Sequence, residues 1–304
     1  MRSSCLALVA GFLGCVGCAN TSGEASDSTA QDASAGIDAR VDAGSGATCT
    51  FDEYSSPGSD DVWGTADDVG QAVSVYRFGP QKLLQSMTQY APGKDLKLGT
   101  ADDEPTFHWR FTYDASGALQ ETAGYSAPGG DGAWDTADDV QASLEHYQYD
   151  AQGRRVEQLN YSDAGTDKIW GSQDDVPSSR ATFGEFQSDG RAAKEVRYDG
   201  PGADGKWSTS DDKIAALVRT VFQTGVAAVA TVYTSAGPDG AWETKDDVVG
   251  SMAASTCDKN TRTLKVYTGP GPDGAWSTGD DQLGSQHRLA GDPGCPLNIC
   301  VWLQ

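Results

Sequence analysis

Basic residues are scarce in this chain: 22 Lys and Arg stand against 44 Asp and Glu, for a formal charge of -22. Phosphate binding needs clustered Lys and Arg, so the balance argues against a nucleic-acid partner. It argues equally against adhesion to an anionic bilayer through a basic patch. It favours cations. Histidine is scarcer still, and His108, His146 and His287 stand at unrelated positions that read as exposed strand residues. No Gly-x-Ser-x-Gly elbow, His-Glu-x-x-His helix, P-loop or dinucleotide fingerprint occurs. No catalytic residue is nominated, and the expectation is a chain that is not an enzyme. Sustained helical periodicity is missing as well, and no apolar run is long enough to cross a bilayer.

What the sequence does have is Gly, Pro and aromatic residues: 37 Gly, 12 Pro, 8 Trp and 11 Tyr. Many turns between aromatic-rich strands suit an all-β chain. A repeat decides the fold class. The pattern Tyr-x-x-(Pro/Ala)-Gly-x-Asp-Gly-x-Trp-x-Thr-x-Asp-Asp-(Val/Ile) starts at Tyr54, Tyr90, Tyr125, Tyr161, Tyr198, Tyr233 and Tyr267. Trp63, Leu98, Trp134, Trp170, Trp207, Trp242 and Trp276 fill the Trp position. Between these loops the residues alternate with period two, as in Phe107, Trp109, Phe111 and Tyr113. Seven tandem β-hairpin repeats of about 36 residues are expected over 48–304. They would form an elongated or spiralling antiparallel sheet, with a seven-bladed propeller-like ring as the alternative.

Residues 1–18 form an export segment. Arg2 supplies a positive n-region, and Leu6 to Leu13 supply the apolar core. Gly14-Cys15-Val16-Gly17-Cys18 then resembles a bacterial lipoprotein signal, which ends in a cysteine that becomes acylated. The resemblance implies lipidation at Cys18, or alternatively at Cys15, and an outer-membrane or cell-surface location; a periplasmic or secreted protein is the alternative. Residues 19–47 are a Ser-, Ala- and Asp-rich linker, too poor in apolar side chains to offset the entropy of ordering. Four cysteines remain in the body: Cys49, Cys257, Cys295 and Cys300. An even number in an oxidising compartment suggests two disulfides, with Cys49–Cys257 and Cys295–Cys300 favoured among three connectivities.

Tyr113-Asp114-x-x-Gly117 and Tyr149-Asp150-x-x-Gly153-Arg154 resemble the YD (Rhs-type) repeat of secreted bacterial β-proteins. That resemblance implies consecutive hairpins pairing into a long spiralling sheet. The Gly-x-Asp-Gly-x-Trp-x-Thr-x-Asp-Asp half resembles repeats of bacterial surface proteins.

Each loop carries one Asp before the turn and an Asp pair seven and eight residues later. The sets are Asp60, Asp67 and Asp68; Asp131, Asp138 and Asp139; Asp167, Asp174 and Asp175; Asp204, Asp211 and Asp212; Asp239, Asp246 and Asp247; and Asp273, Asp280 and Asp281. Carboxylates crowded on one short loop repel, and a hard cation with six to eight oxygen ligands relieves that repulsion, so Ca²⁺ is the expected ligand. The competing reading is structural, since Asp and Thr also bond the backbone in turns. The second copy should bind calcium weakest, because Lys94 and Lys97 flank Asp95; the fourth, with Lys168 and Ser172, should come next. The repeated Trp are either a glycan-stacking platform or packing between units, and their even spacing favours packing. The expected function is a lipid-anchored, calcium-stabilised envelope scaffold or binding surface, with an envelope protein or glycan as possible partner. A carbohydrate-binding surface protein and, further off, a glycan-acting hydrolase are the alternatives.

Overall fold

The computed structural model describes residues 48–63, 65–79, 81–222, 228–258 and 261–291. The export segment, Cys15, Cys18, the linker, Cys295 and Cys300 lie outside the described residues. The period-two segments become fourteen strands: β1 (Thr48–Ser56), β2 (Val69–Phe78), β3 (Leu84–Ala91), β4 (Glu104–Tyr113), β5 (Leu119–Ala127), β6 (Val140–Tyr149), β7 (Arg155–Asp163), β8 (Val176–Phe186), β9 (Ala192–Gly200), β10 (Lys213–Phe222), β11 (Ala228–Ser235), β12 (Val248–Asp258), β13 (Thr261–Gly269) and β14 (Gln282–Gly291). Each pairs antiparallel with its sequence neighbour, and β14 pairs with β1 to close a barrel.

Closure is a correction to the open or spiralling sheet expected from the sequence. The first strand precedes loop one without a hairpin partner of its own, and β14 follows the last loop in the same condition. Joined, with Phe51 opposite Gly291 and Tyr54 opposite Arg288, they remove the two open edges whose unpaired backbone groups would invite aggregation. Gly291 is required at the seam: a Cβ there would stand 2.2 Å from a Phe51 ring carbon. The ladder is continuous around the ring, so the architecture is a barrel and not a set of separate blades.

At one end the strands are joined by tight turns. Asp114 and Asp150 build two of them. The Asp114 carboxylate accepts the N–H groups of Ser116 (2.8 Å) and Ala118 (3.0 Å), and Asp150 does the same for Gln152 and Arg154 (both 2.9 Å). Gly117 and Gly153 take the left-handed conformation that closes each turn. At the other end stand seven loops, 57–68, 92–103, 128–139, 164–175, 201–212, 236–247 and 270–281, all of one length.

The two faces of the sheet differ in what covers them. Cys49, Phe51, Tyr76, Phe78, Leu84 and Met87 form a buried cluster on β1–β3, and Cys257 of β12 packs against it. Three strand spacings, about 14 Å, separate β12 from β1 along the sheet. Side chains bridge that distance only on the concave side, so this face points into the barrel. Val218, Ala230, Ala253 and Val266 form a second interior cluster. Cys49 and Cys257 thus lie in one interior cluster. The outer face carries the repeated tyrosines. Each lies opposite a residue on the preceding even-numbered strand: Tyr54 opposite Arg288, Tyr90 opposite Val73, Tyr125 opposite His108, Tyr161 opposite Leu144, Tyr198 opposite Arg180, Tyr233 opposite Leu217 and Tyr267 opposite Met252.

Candidate functional site: seven acidic loops at one end

The loops fold through their own carboxylates. The leading Asp accepts the N–H two residues on, from Asp60–Val62 to Asp273–Ala275, at 2.8–2.9 Å in all seven copies. The first Asp of the pair reaches back across the loop to the N–H of that leading Asp at 3.1–3.3 Å. It also accepts the Thr or Ser hydroxyl two residues before it, at 2.6–2.9 Å. The second Asp of the pair accepts the N–H of the residue after the Trp position at 2.7–3.0 Å in copies two to seven. In copies two to seven each of the three carboxylates thus has a donor from its own loop, in charge-assisted hydrogen bonds.

This bonding holds the first Asp of every pair ionised. Hydroxyl donors, Ser59 with Thr65 for Asp67 and the loop Thr or Ser for the others, set Asp67, Asp102, Asp138, Asp174, Asp211, Asp246 and Asp280 below the ordinary carboxylate range. Two features of the repeat make the crossing possible. The Gly of the Pro/Ala-Gly pair lies against the backbone of the first paired Asp, and a Cβ on Gly129 would stand 2.3 Å from the Asp138 carbonyl oxygen. The residue after the leading Asp is left-handed in every copy, whether Gly or not: Asp61, Leu96, Gly132, Lys168, Gly205, Gly240 and Gly274.

Six of the loops then lean onto the outer face of a neighbouring hairpin. Trp134 stacks on His108 of β4, with ring centroids 5.0 Å apart and planes 15° apart, and Leu98 lies over Gly70 of β2. All six repeat Trp are half-buried. The side chain after the Trp latches the contact. Asp135 meets His108 Nε2 at 3.1 Å and Arg110 Nε at 2.8 Å, and the His108 contact leads in lowering its pKa to about 2. Ser208 donates to Glu157 at 2.8 Å, Glu243 binds Lys194 and Arg219, and Ser277 reaches the Met252 sulfur. The second paired Asp adds ion pairs: Asp139 with Arg110, Asp212 with Arg180 at 3.0 Å, and Asp68 with Arg288 at 3.7 Å. The last of these carries the same latch across the β14–β1 seam.

Every Asp nominated from the sequence therefore lies in a loop of common geometry, but each triplet is held by backbone and hydroxyl donors. Among the described residues, no group of three or more His, Cys, Asp or Glu side chains is disposed to hold a metal. The histidines correct their expectation in part. His108 is 1% exposed, bonded through Nδ1 to Thr88 Oγ1 at 2.8 Å. His287 faces Glu53 at 3.2 Å, and His146 faces Glu121 at 3.5 Å. They sit on β14, β6 and β4 with no shared site. The residues missed by motif reading are those opposite the tyrosines: Val73, His108, Leu144, Arg180, Leu217, Met252 and Arg288. Their spacing follows the repeat, but their identities vary, so only the period betrayed them.

Fold and loops together define an up-and-down, fourteen-stranded barrel with one acidic end. No protein-family model and no curated protein matches the chain. Among solved structures, a porin-like protein from Bacteroides uniformis is similar over 81% of this chain and 95% of its own, at 9% identity and a TM-score of 0.37. A DUF3836 family protein from Bacteroides vulgatus is similar over 36% of this chain and 90% of its own, at 6% identity and a TM-score of 0.26. A chain of the TcdB2-TccC3-Cdc42 structure is similar over 66% of this chain and 11% of its own, at 10% identity and a TM-score of 0.23. What they share with this chain is an all-β architecture.

Proposed function

We propose that the protein is an exported, lipid-anchored scaffold of the cell envelope, a rigid barrel on a tether that presents seven acidic loops. The observation that carries this reading is the sevenfold uniformity of the loops. A catalytic site needs one asymmetric constellation, whereas here one hydrogen-bond pattern recurs in every copy. Anchoring by lipid also suits the outer face better than spanning does. A bilayer-spanning barrel needs an apolar outer band about 25 Å tall, and here Arg110, Arg180, Lys194 and Arg219 interrupt that face. The half-burial of all six repeat Trp, and the stacking of Trp134 on His108, favour packing over a glycan platform.

Calcium is the second reading, favoured by the electrostatic load. The loops hold 24 acidic residues against five lysines, a net of -19 at one end. In the first reading the loops stand on their own hydrogen bonds. One pair of experiments tests both. Wild-type protein is expected in the membrane fraction, with Cys18→Ser releasing it; an unchanged distribution refutes the anchor at Cys18, and wild-type protein outside that fraction refutes the anchored scaffold. Melting in millimolar calcium against chelator is expected to differ by less than about 1 °C. A rise of several degrees would establish calcium as a stabilising ligand, because a ligand of the native state must raise the midpoint.

A further inference from the structure

The acidic end also carries the exposed apolar side chains. Val69, Val140, Val176 and Val248 begin their strands immediately after the Asp pair, and Ile214 and Leu283 stand one residue later. Five of the six are about half-exposed, and Ile214 somewhat less. The four valines occupy one equivalent place, opposite Ser56, Ala127, Asp163 and Ser235, while Glu104, Lys213 and Gln282 fill it in the other three copies, in two of which Ile214 and Leu283 lie on the adjoining residue. Val62, Leu96 and Ile169 add exposed aliphatics from the loops themselves. Among the described residues, Val221 at the opposite end is the one large exposed apolar residue outside this arc. Scattered surface aliphatics need no explanation, but a set repeated at one rim of a barrel marks an interaction surface.

Charge selects the occupant. A second copy approaching by the same end would bring two loop sets of -19 together. An anionic bilayer is repelled for the same reason. A surface that combines carboxylates with aliphatics is complementary to Lys or Arg interleaved with apolar side chains. We propose that the loop end docks a basic, partly apolar segment of another protein, its cations meeting the exposed leading Asp and the first paired Asp of the loops and its apolar groups covering the valine arc. This deepens the scaffold reading and rests on it, since it supplies what the presented loops hold.

The test uses the full chain and two fluorescent synthetic peptides of equal length and charge, one alternating Lys and Leu, the other Lys and Ser. Fluorescence anisotropy at moderate salt is expected to show the Lys–Leu peptide binding at least about tenfold tighter, the contribution of a few half-buried aliphatics. The surface variant V140S/V176S/V248S is expected to lose that preference, and V221S to keep it. Equal affinity for the two peptides, or a preference that survives the triple substitution, overturns the docking surface. If that happens while the protein still partitions with the membrane, the scaffold reading stands. If the preference is present but the protein is found outside the membrane fraction, the anchored scaffold fails and the docking surface stands.

Discussion

Replacing Asp212 by Asn isolates the latch between neighbouring hairpins. The Asp212 side chain is fully buried and the Arg180 side chain is 13% exposed, with 3.0 Å between them. Asp212 also accepts the Ser208 N–H at 2.9 Å. Removing one partner of a buried ion pair costs about 3–5 kcal/mol when the other is left alone. Arg180 is not left alone, since Glu157 binds it from the other side, and Asn can still accept the Ser208 N–H. The loss is therefore nearer that of one charged hydrogen bond, about 2 kcal/mol. For a barrel of this size each kcal/mol moves the midpoint by about 2–4 °C, so Asp212→Asn should melt about 4–8 °C below wild type. A cycle with Arg180→Met should show a coupling of about 1 kcal/mol or more. Additive single substitutions, or a shift below about 1 °C, would show that the loops do not hold the hairpins together.

The loop geometry makes three further predictions. Gly129→Ala should destabilise well beyond Gly132→Ala: both residues are left-handed, but a Cβ at 129 strikes the Asp138 carbonyl whereas one at 132 meets nothing within 4 Å, so the second change should cost only about 1–2 kcal/mol in denaturant melts. Acid should weaken the loops from about pH 4 downward, because a carboxylate whose folded pKa is depressed contributes stability above its unfolded pKa and loses it as pH falls towards the folded value; pH titration of the melting midpoint should show Thr136→Val shrinking this acid-dependent loss. Trp134→Ala should cost about 3 kcal/mol by denaturant melting, as expected for removing a packed indole, and should increase hydrogen exchange at β4, since the ring covers His108.

Strand existence was legible from alternation and loop existence from the repeat, because both depend on neighbours a few residues apart. Phe107, Trp109 and Phe111 do line one face of β4, and Asp114 and Asp150 do build turns. Closure was not legible. It depends on the accumulated curvature of fourteen strands and on a seam whose members, Phe51 and Gly291, lie at opposite ends of the described chain. The inner apolar clusters were hidden for a related reason: Cys49 with Cys257 was a favoured pairing, but the apolar cluster around them, with Leu289 of β14, forms only once the sheet has curled. The loop carboxylates were legible by position, and turn bonding by Asp and Thr was one of the two readings, but which donor meets which carboxylate depends on the folded loop. In the third loop these donors are Thr136 and the N–H groups of Asp131 and Asp135.

The variable position opposite each tyrosine explains why a uniform repeat gives a non-uniform barrel. Where it is Val73, Leu144, Leu217 or Met252, it is buried, and the following loop rests on an apolar seat. Where it is Arg180 or Arg288, a loop resting on it would desolvate a guanidinium, a cost recovered only by a carboxylate at hand. The second Asp of the next loop, Asp212 or Asp68, supplies it. The pair of carboxylates in each copy therefore divides its labour. The first closes the loop on itself in all seven, while the second ties the loop's backbone and is free to accept a cation from the neighbouring hairpin where one is present. The invariant part of the motif builds the loop, and its attachment is set by the variable partner together with the side chain after the Trp position, as in the copy where Leu217 is the partner and Glu243 pairs with Lys194 and Arg219.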